Sequence, residues 1–379
     1  MSRDLLVVLA AGGTGGHMFP AEALARELLT RACRVALVTD RRGRAWGDRL
    51  PGVELYRIRA GRFGASVMSK VVGLAGLALG TIEAGRLLRS LAPAAAVGFG
   101  GYPSVPTMLA AARQNVPTLL HEQNAILGRA NRLLAPRVRR IATSFADVSG
   151  VRTADRARTI ETGNPVRPAI TALRGTPYPG LSADAPFHIL VLGGSQGARV
   201  LSEVIPAACA LLAEPLRRRL RLEQQARSED IEGVRRAHAG SGIAAEVATF
   251  FDDVPARLAR AQLVISRSGA STVAELAMIG RPAILVPYLH AADDHQTANA
   301  RALEQAGGAW VMPHAAFTPD ALAARLAELA AAPETLASAA AAAHALGRPQ
   351  AARALADLVI ATIEGENGHG APLPRENAA

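Results

Sequence analysis

The sequence predicts an α/β protein made of two doubly wound, Rossmann-like domains that face each other across a cleft. Three observations carry this. Short continuous apolar runs, the form a strand takes when a parallel sheet buries both its faces, are each followed by a glycine-rich loop and a helical segment. This strand–loop–helix unit stands at residues 5–30 and recurs at residues 188–212, beyond a stretch rich in proline and glycine. A third unit, residues 263–299, is the most complete: strand 263–266, loop 267–272, helix 273–279, Gly280, Pro282, strand 283–286 and the polar tail Asp293-Asp294-His295-Gln296.

At 379 residues the chain is long for one domain and comfortable for two. The pattern divides it into a first domain at 1–164, a second at 165–345, a terminal helix at 346–364 and a polar tail at 365–379; the terminal helix is expected to return to the first domain and the tail to be disordered. The boundary follows from Gly163, Pro165, Pro168, Gly175, Pro177, Pro179, Gly180 and Pro186, which together forbid a regular element.

In chain order, residues 5–10 form a buried strand and Gly12-Gly13-Thr14-Gly15-Gly16-His17 a glycine-rich turn. Residues 20–30 form an amphipathic helix and residues 34–39 the next strand. Asp40 invites a dinucleotide-binding reading, but GxGxxG needs a third glycine where Met18 stands, and no Gly-Lys-Ser/Thr follows. A third strand fits residues 53–60. The apolar segment 71–82 carries three glycines and is flanked by Lys70, Arg86 and Arg89. Such a helix ordinarily belongs to the core, while its basic borders also suit docking on anionic lipid.

Strand 94–99 runs into Gly100-Gly101-Tyr102, and strand 118–120 into His121-Glu122-Gln123-Asn124. Four hydrogen-bonding side chains in succession are costly to bury without a purpose, and the carboxyl ends of strands are where open α/β sheets bind ligands. In the second half, residues 188–192 lead into Gly193-Gly194-Ser195-Gln196-Gly197-Ala198 and helix 200–212. Residues 318–346 read as one Ala/Leu-rich helix and 349–363 as the last.

The loop at 267–272 opens a helix whose first N–H groups have no internal partner, and its small residues leave them open to phosphate oxygens. Glu275, one turn further in, could accept hydrogen bonds from ribose hydroxyls. Ser268 or Ser271 capping a helix, with Glu275 as a first-turn residue, explains the same stretch without a ligand.

The balance of charge is +10, almost all of the excess arginine. It suits anionic lipid, nucleic acid or phosphorylated substrates and does not choose among them. With aromatics at 4%, little is available for base stacking, so no nucleic-acid partner is expected. Cys33 and Cys209 lie in apolar contexts without metal spacing and are expected to be buried free thiols. No apolar run is long enough to span a bilayer, and a cytoplasmic protein with at most surface attachment is expected.

In this order and spacing the Gly12-to-His17 loop, Gly100-Gly101-Tyr102, His121-Glu122-Gln123-Asn124, Gly193-to-Ala198 and Arg267-Ser268-Gly269-Ala270 through Glu275 closely resemble the MurG family of bacterial N-acetylglucosaminyltransferases. Gly163-Asn164-Pro165-Val166-Arg167 and Gln296-Thr297-Ala298-Asn299-Ala300 add to the match. The resemblance implies the GT-B fold and inverting transfer of GlcNAc from UDP-GlcNAc to the C4 hydroxyl of the MurNAc-pentapeptide of lipid I. The product would be lipid II for the peptidoglycan wall. It implies attachment to the cytoplasmic face of the inner membrane through an anionic lipid surface, and leaves room for partners in a wall-synthesis complex.

Carried over by motif, Ser195, Gln196 and nearby amides would meet the donor diphosphate, Phe251 and its backbone the uracil, Glu275 the ribose and Gln296 the sugar. Ala270, Ser271 and Thr272 would supply the helix N-terminus. Thr14, Gly15, Gly16, Asn124 and Arg167 would complete the donor site from across the cleft, and His17, Tyr102 and the segment from His121 to Asn124 would face the acceptor. Where the family often has His-Gln-Ser/Thr-Gly, this chain has Glu223-Gln224-Gln225-Ala226-Arg227.

Inverting displacement needs donors for the leaving diphosphate and a base for the attacking hydroxyl. Helix N-termini and loop amides supply the first, and no Asp-x-Asp motif suggests a metal, so no cofactor is expected. The base is His17 or, second, Glu122; His17 could instead donate to the acceptor diphosphate. Rival readings are a UDP-sugar epimerase or hydrolase on the same fold, a nicotinamide oxidoreductase, and a non-catalytic basic protein that docks on membranes.

Overall fold

The structure, a computed structural model, describes residues 5–12, 15–40, 50–61, 67–182, 184–194 and 198–365; the side chains of residues 67–71 are not described. Thr14, Ser195, Gln196, the Lys70 side chain and the 366–379 tail therefore lie outside the described residues.

Two parallel sheets organise the chain. The first has seven strands: β1 (Leu6–Ala10), β2 (Arg34–Thr39), β3 (Val53–Arg57), β4 (Ala95–Gly98), β5 (Thr118–Glu122), β6 (Arg140–Thr143) and β7 (Thr159–Glu161), in the order β3-β2-β1-β4-β5-β6-β7. The second has β8 (Phe187–Leu192), β9 (Leu220–Gln225), β10 (Ala244–Ala248), β11 (Leu263–Ser266), β12 (Ala283–Leu285) and β13 (Ala309–Val311), in the order β10-β9-β8-β11-β12-β13. Each sheet winds outward both ways from its first strand. The crevices between β1 and β4 and between β8 and β11 are the switch points at which such sheets hold ligands. Gly12, Gly100-Gly101, Gly193-Gly194 and the loop after β11 follow the strands that border these crevices.

Three expectations shift. The helix expected from residue 20 spans Gly15–Thr30 with Pro20 inside it, so His17 stands in a helical first turn and not in a glycine turn. Residues 318–346 form two helices, Pro319–Ala331 and Pro333–Ala345. Pro333 has no N–H to continue the ladder, and the residue before it is driven from the helical region, Ala332 having φ −128° and ψ 72°. The helix after β11 begins at Ala270, three residues earlier than its apolar pattern shows.

The helix Val67–Leu91 buries Ala84 and Leu88 in its second half and turns glycines inward in its first half. Its small residues face inward: a Cβ on Gly80 would meet the Arg59 carbonyl oxygen at 2.0 Å, and one on Gly61 would meet that of Gly73 at 2.1 Å. Large apolar side chains at Val72, Leu74, Leu79 and Ile82 face outward and are exposed. Leu77 packs on the core. The helix Ala351–Glu364 buries Leu355, Leu358 and Val359 in the core of the first sheet, against the helix Gly15–Thr30. Cys33 and Cys209 are buried free thiols.

Arg281 holds the second domain together from inside. It is fully buried and donates to the carbonyls of Leu258, Ala259, Ile279, Gly280 and Pro177 at 2.8–3.2 Å. Four of these lie at or near the carboxyl ends of two helices, where carbonyls lack helical partners. Burial pulls the guanidinium down to about 10, still charged at neutral pH. Arg281→Met would strand those carbonyls, and a stability loss of about 3 kcal/mol is expected in urea unfolding. A change below about 0.5 kcal/mol would contradict this role.

Candidate active site

The first half of the site is built around His17. Gly100 and Gly101, both at positive φ (+81° and +71°), let the loop after β4 pass under the imidazole; a Cβ on Gly101 would lie 3.3 Å from His17 Cδ2. Strand alternation puts His121 and Gln123 on one side of the β5 end and Glu122 on the other. His17 Nδ1 lies 3.0 Å from Gln123 Oε1, Gln123 Nε2 lies 2.9 Å from His121 Nδ1, and His121 Nε2 lies 3.0 Å from the Gly163 carbonyl oxygen.

The hydrogen positions follow from the ends of this chain. Gln123 Nε2 also lies 2.9 Å from the His121 carbonyl oxygen, which can only accept, so this atom is the amide nitrogen and Oε1 the oxygen. His121 Nδ1 therefore accepts, its Nε2 donates to Gly163, and His17 Nδ1 donates to Gln123. In the neutral ring of His17 the remaining lone pair is on Nε2.

Two expected ligand contacts become supports. His121 is fully buried with both ring nitrogens used. Glu122 is 2% exposed and accepts four hydrogen bonds: Asn124 N and Nδ2 on Oε1 (both 3.0 Å), Gly128 N and Asn131 Nδ2 on Oε2 (both 2.8 Å). A carboxylate so saturated has no lone pair to take a substrate proton, which removes it as the alternative base. Tyr102 is exposed beside Gly101, Gly15 is half-buried and Gly16 is exposed in the first helical turn.

The second half centres on the helix Ala270–Ile279. Gly269 caps it with extended backbone and no side-chain hydrogen bond, leaving first-turn N–H groups for an anion. Ala270 is buried, Ser271 and Thr272 are half-buried, and Ser271 Oγ is without a hydrogen-bond partner among the described residues. Ser268 Oγ donates to the Gln296 carbonyl, and Gln296 Oε1 accepts from Tyr288 N at 2.9 Å. Phe251 is 4% exposed with the Arg257 guanidinium 3.9 Å from its ring centroid, so its ring is not open to a base. Gln224, in the segment that departs from the family pattern, is buried and paired with His238 at 2.8 Å.

Polar contacts join the halves. Arg167 Nε and Nη2 bond both oxygens of Glu275 at 2.8 Å, and its guanidinium lies 4.9 Å from the Phe19 ring centroid. Asn299, fully buried, accepts from Ala125 N at 2.8 Å and donates to Asn124 Oδ1 and to the Ser268 carbonyl, each at 3.1 Å. Gln123 and Asn299 carry roles that motif reading did not assign. For Gln123 the signal was its strand parity with His121; Asn299 pairs with Asn124 only in three dimensions.

Residues 7–143 match the glycosyltransferase family 28 N-terminal domain and residues 188–355 the family 28 C-terminal domain. A protein of Paramagnetospirillum magneticum is 59% identical over 96% of this chain and 98% of its own length. It is described as UDP-N-acetylglucosamine--N-acetylmuramyl-(pentapeptide) pyrophosphoryl-undecaprenol N-acetylglucosamine transferase. The crystal structure of Acinetobacter baumannii MurG aligns with a TM-score of 0.77 and 30% identity over 94% of this chain and 99% of that one. A putative UDP-N-acetylglucosamine 2-epimerase from Listeria monocytogenes aligns at 0.68 with 15% identity, over 96% of this chain and 97% of its own, a likeness of fold alone.

Burial holds the His121 ring down at about 4, with nearby His17 adding to the effect and the Gly163 carbonyl opposing it. An unfolded histidine titrates near 6.5, so this group's contribution is complete above about pH 6.5 and is lost as pH falls to about 4, some ~3 kcal/mol in all. Urea unfolding of wild type and His121→Gln between pH 7 and 4 should show the variant falling less steeply by that amount. Parallel curves would contradict it.

Proposed function

The chain belongs to glycosyltransferase family 28 and is a UDP-N-acetylglucosamine-dependent hexosyltransferase, and from that premise we propose how its residues carry out the transfer. It moves GlcNAc from UDP-GlcNAc to lipid I, forming lipid II. Identity of 59% along nearly the full length of both chains carries the activity, and it favours the transferase over the epimerase and hydrolase readings.

In our reading the donor diphosphate lies at the N-terminus of the helix Ala270–Ile279, with Ser195 and Gln196 on the opposing loop. Its ribose shares Glu275 with Arg167. Each carboxylate oxygen uses one lone pair on the guanidinium and keeps another, so the pair orients Glu275 while leaving acceptors for two hydroxyls. Asn124, tied to Glu122 and Asn299, sets the distance between the domains over the sugar, which Gln296 holds from the other side.

His17 Nε2 then takes the proton of the acceptor C4 hydroxyl. The C4 oxygen forms its bond to the anomeric carbon as the bond to the diphosphate oxygen breaks, and that electron pair leaves with UDP. First-turn amides meet the growing negative charge. The chain from His17 to Gly163 keeps the proton on Nδ1 and the lone pair on Nε2, which supports the base over the diphosphate-donor role.

The membrane-bound half of the substrate suits the outward face of the helix Val67–Leu91. No helix among the described residues is long and apolar enough to cross a membrane. Val72, Leu79 and Ile82 fall on one helical stripe that continues into exposed Arg86 and Arg89, with exposed Leu74 on the far flank of the outward face. Apolar insertion beside arginines is the pattern for a surface of anionic lipid, and we place this face against the cytoplasmic side of the inner membrane.

UDP release should depend on a solubilised lipid I analogue, with one HexNAc added to that lipid by mass; release without acceptor would favour hydrolysis or epimerisation. His17→Ala should lower kcat by about 10²–10⁴-fold with UDP-GlcNAc affinity nearly unchanged. Near-normal turnover would remove His17 as the base. Paired Leu74→Glu and Ile82→Glu should weaken co-sedimentation with anionic vesicles at least about tenfold, and unchanged sedimentation would place the membrane contact elsewhere.

A further inference from the structure

We propose that a cavity of about 160 Å³, where residues 144–164 and 346–348 meet the helix Ala270–Ile279, is a binding site for a small, neutral, planar molecule with a carboxamide or lactam edge, and that its occupancy is coupled to nucleotide binding. Its walls come from both domains: Phe145, Glu161 and Asn164 on one side, Ala274, Ala277 and Met278 on the other.

The cavity lies behind the helix Ala270–Ile279. At 100° per residue, Ala270, Ala274 and Ala277 share one stripe of that helix, whereas Thr272 and Glu275 point away from it. The front of the helix is the proposed donor site; the back is this pocket.

Asn164 gives the pocket its chemistry. It is 6% exposed, and neither its Nδ2 nor its Oδ1 has a hydrogen-bond partner among the described residues. A buried amide left unpaired is destabilising, and nearly all buried polar groups are satisfied. Here an amide nitrogen and an amide oxygen stand side by side in a lining that is apolar apart from Ser144 and the paired Glu161 and Arg348. The complementary group presents an acceptor and a donor on one edge, as a primary carboxamide or a lactam does.

Charge and size narrow the ligand. Glu161 and Arg348, both lining the pocket, are paired with each other at 3.0 Å, so an ionic ligand would find no unpaired countercharge there. A dry cavity of about 150 Å³ in an engineered protein takes up benzene, which sets the scale at one aromatic ring with a small substituent.

The coupling rests on the donor-site assignment above. Asn164 stands three residues before Arg167, which holds Glu275 on the front of the helix. A molecule wedged between Asn164 and Ala274 fixes the spacing of residues 164–167 and the helix that nucleotide binding also uses. Its effect on UDP affinity must equal the effect of UDP on its own affinity.

Benzamide is the test probe, titrated into the full chain by ligand-observed NMR beside toluene and benzoate. Benzamide should bind with Kd of about 0.1–1 mM, and the other two about tenfold more weakly or worse. Ala274→Leu, which fills the space, should abolish binding. Asn164→Leu should keep toluene and lose the preference for benzamide, so that failure of one variant to fold leaves the other as a readout. No benzamide binding, binding unchanged in Ala274→Leu, or no preference over toluene would overturn the site. Saturating benzamide should shift the UDP Kd at least about threefold. An unshifted UDP Kd would overturn the coupling, whereas failure of UDP to bind at all would overturn the donor assignment and leave the benzamide result standing.

Discussion

A hydrogen-bonded chain from the ring of His17 through Gln123 and His121 to the carbonyl of Gly163 ties the first turn of one helix to the segment that follows β7. Every donor and acceptor in it is determined by carbonyl oxygens that cannot donate. Because His121 is fully buried and stays neutral, the chain carries no charge that would reverse its direction. The consequence reaches outward: one nitrogen of His17 is committed inward, and the other is left with its lone pair for chemistry. Glu122, on the opposite side of the same strand end, is consumed by four hydrogen bonds that shape the Asn124–Gly128 loop.

Several of the contacts across the cleft are polar and can be remade. Asn299 bridges Asn124 and Ala125 to the Ser268 carbonyl, Arg129 meets Asp293 at 3.1 Å, and Arg167 joins Phe19 to Glu275. Small polar interfaces between domains permit relative motion, as an enzyme needs when it takes a soluble donor on one side and a lipid-borne acceptor on the other. The same groups that join the domains lie at the proposed donor site. Closure and donor binding therefore draw on one set of hydrogen bonds.

Much of this was legible in the sequence because parallel strands and the loops that follow them leave local marks. Apolar runs ending in Gly12, Gly100-Gly101 and Gly193-Gly194 located both switch points, and His121-Glu122-Gln123-Asn124 located the end of β5. What stayed hidden was non-local. Nothing around Glu122 announces that four donors from residues 124–131 converge on it, and nothing near Phe251 shows that Arg257 will cover its ring. The start of the helix at Gly15 was obscured by Pro20, whose propensity argues for a boundary that the packing overrides. The outward apolar face of Val67–Leu91 was visible as composition, while its orientation depended on glycines that press against residues 59–61.

The proposed role of His17 as a base requires its lone pair on Nε2, and the tautomer of the neutral ring reports this directly. Nitrogen-15 NMR of imidazole-labelled protein, with His17 assigned by comparison with His17→Ala, reads which ring nitrogen carries the proton when the ring is neutral. A protonated Nδ1 and a bare Nε2 are expected, shifting toward a mixture of tautomers in Gln123→Leu. A neutral His17 with its proton on Nε2 in the wild-type protein would contradict that role, because the nitrogen not bonded to Gln123 would then be a donor and the relay would run the other way.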